Sequence, residues 1–382
     1  PEKSVMPSST LSERSSGASS TISTPELCVN SVVNSEWIVE RFLQTRTMLV
    51  RSRTNERLYA AMTVEPWSEK QEAETLRYEV FVLRLMQNSR HVARIFVSGS
   101  IPGYNFMVTS LRGQNLDQLR QSMPSKRFTT GTSLRIALQA ISALGDLHTA
   151  GFVHRDVKPS NFCFGSSASS RRTLLFADFS LVRQILIDPQ ARNSDFRRAR
   201  ERVVFRGCPR YCSVNVHRLR EPSTSDDLIS VLYMTAEMIT GKLLWDSKKR
   251  KDIASVKNES LLENVFQNCP TEIIELYRYL TSLTFYEQPN YDRVTKSITK
   301  ALTERKIDLE DPYDWEEGGR YFYYKLKEKR EQRKEEQFRD SASMVTARSE
   351  APSTTATDEL YIPEVSDINT LDQNLMGVGI TA

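Results

Sequence analysis

The apolar residues of the chain follow two different patterns in two parts of its length. Between residues 37 and 111 they fall in short runs separated by polar turns, which is typical of an antiparallel sheet. These runs are residues 37–43, 47–51, 58–64, 92–98 and 105–111. Residues 68–71 resemble a capping box, and Leu76, Val80, Leu83 and Met86 then recur at helical spacing. The pattern predicts a small β-rich lobe, residues 35–111, that contains one helix.

Residues 113–317 show helical periods instead. Leu134, Ile141 and Leu147 belong to one long amphipathic stretch. Residues 228–245 are apolar almost all round, as in a helix that is buried on every side. We therefore predict an α+β fold in which the β-rich lobe is joined to a larger, mainly helical lobe.

Both ends of the chain lack these patterns. Residues 1–34 are rich in Ser, Thr and Pro, so they cannot bury enough apolar surface to offset the entropy of folding, and we predict a disordered arm. Residues 318–340 are highly charged, and pairs such as Lys327 with Glu331 and Glu335 with Arg339 favour a solvated helix. A coiled coil is disfavoured because no apolar heptad continues through them. Residues 341–382 are predicted to be a second disordered tail.

Composition narrows the classes of protein to consider. A formal charge of +4 and a pI of about 8.7 are too weak to indicate nucleic acid binding. No apolar run is long enough to cross a membrane, and the start shows no apolar signal core. The five cysteines are scattered without zinc-site spacing, which predicts reduced thiols. We expect a cytoplasmic monomer, with the nucleus as a second compartment open to it, and neither a membrane nor a nucleic acid partner.

Residues 151–161, G-F-V-H-R-D-V-K-P-S-N, carry the strongest chemical signal in the chain. In phosphoryl transfer a carboxylate lies beside the acceptor hydroxyl, and an amide oxygen one short loop away binds a metal ion. Asp156 and Asn161 have this spacing, and Lys158 between them can neutralise the transferring phosphoryl group. The apolar residues 174–177 then lead to Asp178-Phe179, which resembles the place where protein kinases have their second metal ligand and so implies that role for Asp178. We call residues 151–161 the catalytic loop.

Four further segments make the chain resemble the casein kinase 1 group of protein kinases, most closely its tau-tubulin kinase branch. They are residues 111–116, the Ser213-Val214-Asn215 element, residues 226–228 and residues 311–316. The resemblance covers roughly residues 35–317. It implies a bilobal protein kinase fold, a protein substrate, and ATP and Mg²⁺ as cofactors.

The resemblance also implies roles for individual residues. Thr109 falls at the gatekeeper position, and the hinge to the adenine, residues 110–112, includes Leu111. Glu79 is the helix glutamate that pairs with a phosphate-binding lysine in such enzymes. Asp227 is predicted to accept hydrogen bonds from backbone amides of the catalytic loop.

The chain departs from the family pattern at the nucleotide. A glycine-rich loop lets backbone amides approach the phosphates, yet no glycine lies between Gly17 and Gly99, and the corresponding residues 43–50 all carry side chains. Thr63 stands where the family has its lysine. In the activation segment, which runs from Asp178 to the Ser213-Val214-Asn215 element, Ser180 replaces the glycine after Asp178-Phe179, and Cys208 replaces a threonine. These changes predict poor nucleotide binding and slow transfer.

Three interpretations follow from these residues. The first is a pseudokinase, or strongly impaired kinase, that acts as a binding or scaffold module in phosphorylation signalling. The second is an active Ser/Thr kinase in which Arg46, Arg51 or Arg53 supplies the missing cation. The third is a protein that binds nucleotide as a conformational switch and transfers no phosphate.

Arginines crowd the segment between Asp178 and Tyr211. They are Arg192, Arg197, Arg198, Arg200, Arg202 and Arg206. Bidentate arginine contacts suit carboxylates and phosphates, so we expect an acidic or phosphorylated protein partner here. The alternative is a solvated basic loop without a partner.

Overall fold

The computed structural model describes residues 27–67, 75–188 and 195–324, together with residues 326, 327, 330 and 331. Residues 1–34, 318–340 and 341–382, for which the sequence predicts arms or an extension, lie largely outside these ranges. The predicted capping box at residues 68–71 and Arg192 lie outside them as well.

The smaller lobe is an antiparallel six-stranded sheet in the order β1-β2-β3-β4-β6-β5. Its strands are β1 Val32–Val33, β2 Trp37–Gln44, β3 Thr47–Ser52, β4 Tyr59–Pro66, β5 Ile95–Ile101 and β6 Tyr104–Ser110. Helix α1, Thr75–Leu85, lies between β4 and β5 in the chain. Side chains alternate along β4, so Ala60, Met62 and Val64 enter the core of the sheet. Thr63 and Glu65 therefore point to the opposite face.

The larger lobe is mainly helical. Its helices are α2 Leu116–Gln121, α3 Thr130–Thr149, α4 Val214–His217, α5 Thr224–Thr240, α6 Ile253–Glu259, α7 Leu262–Val265, α8 Thr271–Ser282 and α9 Tyr291–Glu304. Helix α5 packs against α3 and α8, and all but one of its residues are buried, as the apolar run predicts. A capping box of Ser223 and Asp226 begins α5, and Gly241 ends it in the left-handed conformation with φ 84°.

Short strands at the junction of the lobes hold the catalytic loop. Strands β7 Arg112–Asn115, β9 Phe162–Gly165 and β10 Leu174–Phe176 form a sheet in the order β10-β9-β7. Strands β8 Phe152–Val153 and β11 Arg183–Gln184 form a second pair. The catalytic loop thus begins with β8 and ends where β9 starts.

The C-terminal part of the described chain is anchored to α3. The carboxylate of Asp314 accepts hydrogen bonds from Thr129 N at 2.6 Å and from Thr129 Oγ1 at 2.7 Å. The Arg135 guanidinium lies 4.4 Å from the ring centroid of Tyr313. Residues 311–316, which the resemblance places at the end of the domain, therefore close the helical lobe.

The predicted bilobal α+β fold is confirmed. The boundary at residue 35 is not where the ordered chain starts, because β1 pairs with β2 and Leu27 packs on the core of the sheet. The predicted Lys327–Glu331 pair forms at 3.9 Å. All five cysteines are free thiols. No helix in the described ranges has the length and apolar character needed to cross a bilayer.

Candidate functional site

The catalytic loop brings its three predicted site residues together. Asp156 is only 6% exposed, and its Oδ2 lies 2.5 Å from Lys158 Nζ. The side-chain nitrogen of Asn161 donates to the backbone oxygen of Asp156 at 2.9 Å. That orientation leaves the amide oxygen of Asn161 as the atom available to a cation. These residues therefore fit the acceptor-side and metal-side roles that their spacing predicts.

Asp227 fixes the backbone of this loop. Its carboxylate accepts hydrogen bonds from His154 N at 2.6 Å and from Arg155 N at 2.9 Å, and His148 Nε2 lies 2.9 Å from it. Burial would raise the pKa of Asp227, but the hydrogen bonds from His148 and the loop lower the pKa below its ordinary value. The predicted contact of Asp227 with the loop amides is observed.

Asp178, the other predicted metal ligand, lies beside the catalytic loop in a left-handed conformation with φ 64°. His154 Nε2 lies 2.8 Å from its backbone oxygen. The Oδ1 atom of Asp178 accepts hydrogen bonds from Ser180 Oγ at 2.5 Å and from Ser180 N at 3.1 Å. The serine that replaces glycine therefore occupies one of the two carboxylate oxygens of Asp178.

Glu79 lies on α1 and faces the Asp178-Phe179 segment. Its Oε1 accepts a long hydrogen bond of 3.4 Å from Phe179 N. The pKa of Glu79 is raised by burial and by the neighbouring Asp178 carboxylate, while the Phe179 amide and the charges of Arg112 and Arg46 act the other way. Without a lysine, Glu79 thus faces a backbone amide rather than a side-chain cation.

Thr63 lies on β4, in register with Thr47 of β3 and Met107 of β6. Strands β2 and β3 remain paired as far as Gln44 and Thr47, so residues 45 and 46 alone form the turn between them. A glycine-rich loop would present free backbone amides at this place. Here a tight hairpin whose residues all carry side chains stands at this place.

The three candidate replacement cations differ in their surroundings. Arg46 donates to Val64 O at 3.1 Å and to Glu65 Oε1 at 3.0 Å, so it lies beside the start of α1. Arg51 pairs with Glu40 at 2.5 Å, and Arg53 donates to Ser35 O. Arg51 therefore contacts β2, and Arg53 contacts a residue just before β2. Arg46 is the candidate that remains near Glu79.

The hinge residues lie where the lobes meet. Thr109 is 4% exposed and pairs with Ala61 of β4 and Ile95 of β5. The backbone oxygen of Leu111 accepts a hydrogen bond from Ser166 Oγ at 3.0 Å. Thr109 and Leu111 thus occupy the junction that the resemblance assigns to the adenine, although one hinge carbonyl already has a partner.

The end of the activation segment packs directly on the catalytic loop. Ser213 Oγ donates to Asp226 Oδ1 at 2.5 Å, and Asn215 Nδ2 donates to Asp226 Oδ2 at 3.1 Å. The Ser-x-Asn element therefore connects the segment to the start of α5. Gly207 precedes Cys208 and approaches the backbone of Arg155 closely.

Arginine side chains from four places in the chain converge beside this segment. The pKa of Arg155 is lowered to about 10 by burial and by the charges of three arginines, Arg183, Arg206 and Arg200. The carboxylate of Glu221 acts on Arg155 in the opposite sense, and it pairs with Arg183 at 3.0 Å and with Arg200 at 2.5 Å. We call Arg155, Arg183, Arg200 and Arg206 the arginine cluster. The four positive charges of the cluster exceed the one negative charge of Glu221.

The cluster overlaps the predicted arginine patch only in part. Arg200 and Arg206 belong to both, whereas Arg197, Arg198 and Arg202 belong to the predicted patch alone; all five residues are exposed. Arg197 acts on the pKa of Tyr78, so it lies towards α1. Sequence reasoning missed Arg155 and Arg183. Their signal was the arginine inside the His-Arg-Asp motif and the arginine five residues after Asp178.

Comparisons with known proteins agree with this geometry. The model of the protein kinase domain family matches residues 45–305. A Dictyostelium discoideum protein assigned as a serine/threonine-protein kinase is 34% identical over 257 residues, 67% of this chain and 51% of the relative. This chain therefore spans about half the length of that relative.

Two relatives from Caenorhabditis elegans are more specific. A protein assigned to casein kinase I is 32% identical over 269 residues, 68% of this chain and 76% of the relative. A protein named an inactive tau-tubulin kinase is 30% identical over 233 residues, 59% of this chain and 80% of the relative.

Proposed function

Because the chain belongs to the protein kinase family and is related to casein kinase I and tau-tubulin kinase, we propose that it is a strongly impaired kinase that acts as a binding or scaffold module in phosphorylation signalling. The observation that carries this proposal is the state of Glu79. Thr63 offers no charge to it, and its carboxylate accepts only a long hydrogen bond from a backbone amide. The chain thus lacks the lysine–glutamate ion pair that would couple α1 to the phosphates of a nucleotide.

The magnitude of the loss supports impairment. Phosphoryl transfer depends almost wholly on positioning and on electrostatic stabilisation of the phosphoryl oxygens. Removing one such group typically lowers the rate by roughly a hundredfold or more. This chain lacks the lysine and the glycine-rich loop together, and Ser180 competes for Asp178 as well.

The binding partner we propose is an acidic or phosphorylated segment of another protein. Four arginines lie near one another beside the activation segment while Glu221 pairs with two of them, which leaves a local excess of positive charge. Guanidinium groups bind carboxylates and phosphates through paired hydrogen bonds. Burial, and then repulsion among these arginines, lower the pKa of Arg155, and an acidic segment would relieve the repulsion.

The first experiment is thermal unfolding of the full chain with ATP, in the presence and absence of Mg²⁺. A ligand that binds the folded state raises the melting temperature by mass action. We expect no Mg²⁺-dependent shift for the native chain at millimolar ATP, and a shift for Thr63→Lys. A clear shift for the native chain, followed by phosphate transfer to a protein substrate at a rate near that of Thr63→Lys, would contradict impairment.

The alternative is an active Ser/Thr protein kinase in which Asp156 orients the acceptor hydroxyl and Mg²⁺ is held by Asn161 and Asp178. The intact contacts of Asp156 with Lys158 and Asn161 favour it. In that case Arg46 is the candidate cation, since it lies beside α1. Loss of transfer in Asp156→Asn, with unchanged melting temperature, would support the alternative. Retained cellular function in that variant would support the scaffold.

A further inference from the structure

Glu65 is a buried carboxylate that none of the proposed chemistry uses. It lies on β4, two residues after Thr63, and is 4% exposed. Both of its oxygens are occupied: Oε1 accepts from Arg46 Nη2 at 3.0 Å, from Thr75 N at 3.0 Å and from Thr75 Oγ1 at 2.9 Å. Oε2 accepts from Leu76 N at 3.0 Å. One side chain of the sheet thus binds the beginning of α1.

The contacts identify this end of the helix as its capped end. The first amides of a helix have no carbonyl of the same helix to bond, so a side-chain oxygen commonly accepts their hydrogen bonds. Thr75 N and Leu76 N use Glu65 in this way. A negative charge at this end also interacts favourably with the helix dipole. Burial would raise the pKa of Glu65, but its hydrogen bonds lower the pKa and keep it charged.

Helix α1 lies between the sheet and the helical lobe, so its position depends on its contacts with both of them. Its apolar residues Leu76, Val82 and Leu83 belong to the core that includes Phe179 and the helical lobe. The core of the sheet, with Met62 and Val64, is a separate cluster. Helix α1 also contacts β5 and β6, and Arg84 Nη2 donates to Ser98 Oγ at 2.8 Å, but Glu65 is the side chain that joins β4 to the first turn of α1.

We propose that Glu65, held by Arg46, is the positioning residue for α1 and takes the place of the missing lysine–glutamate ion pair. It fixes the first turn, the helix then carries Glu79, and Glu79 accepts the hydrogen bond from Phe179 N. Arg46 is thereby given a structural task on the sheet. The inference stands whether or not the chain transfers phosphate, because it concerns the helix in the nucleotide-free protein.

The test is hydrogen exchange of the full chain without nucleotide. Glu65→Gln keeps the shape of the side chain but removes the charge that the two amides and Arg46 share. We expect the amides of α1 and that of Phe179 to exchange about tenfold faster, while the amides of α5 keep their rate. Arg46→Met should give a smaller change of the same pattern. It also serves as the second variant if Glu65→Gln folds poorly, since Arg46 is 51% exposed.

The matched control is Arg51→Met. Arg51 pairs with Glu40 on the same sheet, away from α1, so removing it should leave exchange in α1 unchanged. Unchanged α1 exchange in both Glu65→Gln and Arg46→Met would overturn the proposal. So would equal acceleration by Arg51→Met, because the effect would then be a general loosening of the sheet.

Rescue separates positioning from ordinary stabilisation. Thr63→Lys restores a cation opposite Glu79, and in the Glu65→Gln background it should return the α1 and Phe179 amides to within about twofold of their native rates. A variant that regains global stability without regaining this local protection would contradict the idea that Glu65 takes the place of the lysine–glutamate ion pair. Neither outcome depends on ATP, so the result is independent of the proposed loss of catalysis.

Discussion

Single residues decide how closely the activation segment approaches the catalytic loop. Gly207 has φ 96°, and a Cβ atom there would lie 2.2 Å from the backbone oxygen of Arg155. Both the conformation and the space require glycine. At position 180 the side chain matters instead, because the Ser180 hydroxyl donates to Asp178 a hydrogen bond that glycine could not supply. The identity of one residue, at Gly207 and at Ser180, thus decides a contact of the activation segment.

Gly207→Ala is predicted to destabilise the fold far more than Gly318→Ala. Both glycines have positive φ, and that conformation alone costs an alanine roughly 1–2 kcal/mol. A Cβ at Gly318 would meet only Pro312 Cγ at 3.5 Å, whereas at Gly207 it meets backbone. We expect a loss of at least about 3 kcal/mol for Gly207→Ala and about 1 kcal/mol for Gly318→Ala, measured by urea unfolding. Equal losses would show that the close approach to Arg155 can relax.

At the scale of elements, α6 holds the end of the activation segment. Lys257 Nζ donates to Pro209 O at 2.8 Å and to Cys212 O at 2.7 Å, and it lies over the rings of Tyr233 and Trp245. His217 Nε2 lies 3.2 Å from Pro209 O. The segment is therefore fixed by buried polar contacts, which can be tested by pH and by substitution.

The free energy of unfolding is predicted to decrease in acid because His217 is harder to protonate in the folded protein. Burial, and then the charge of Lys257, lower the pKa of His217 from 6.5 to about 4. Between pH 6.5 and 4 the unfolded chain binds a proton that the folded chain does not, so stability decreases as the pH falls through that range. Urea unfolding of the native chain and of His217→Gln should show a steeper decrease for the native chain. Parallel curves would mean that His217 is accessible to protons in the folded state.

The contact between Asp314 and the beginning of α3 is predicted to stabilise the helical lobe. Asp314 is 3% exposed and accepts both hydrogen bonds that Thr129 donates. Asp314→Ala leaves those donors without a partner, so we expect a loss of about 2 kcal/mol in urea unfolding. Asp308→Ala is the control, because Asp308 Oδ1 accepts only from Glu310 N within its own loop. A loss as small as that of the control would show that water replaces the carboxylate.

At the scale of the whole molecule, the catalytic loop, β11 and the activation segment create one positively charged region. Arg155 comes from the catalytic loop, Arg183 from β11, and Arg200 and Arg206 from the activation segment. Glu221 balances only part of their charge. The region exists only because distant parts of the chain fold against each other.

Charge reversal in this region should separate specific binding from general attraction. With a multiply phosphorylated serine peptide as the probe, we expect Arg206→Glu to weaken binding at least about tenfold. Arg202→Glu makes the same change of charge at an arginine that is also exposed but lies outside the cluster, and screening over that distance should limit its effect to about twofold at physiological salt. Fluorescence anisotropy measures both. Equal weakening would mean that the peptide senses net charge alone.

The sequence by itself determined the bilobal α+β fold, the spacing of Asp156 and Asn161, and the absence of the lysine at Thr63. Periodicity and short motifs carry that information, because the residues concerned are near one another in the chain. Only the tertiary structure decided that Arg155 and Arg183 join the arginine cluster, that Arg46 pairs with Glu65, and that Glu65 caps α1. Those contacts join residues ten or more positions apart. Burial and orientation, which no local pattern encodes, select them from the many charged residues of the chain.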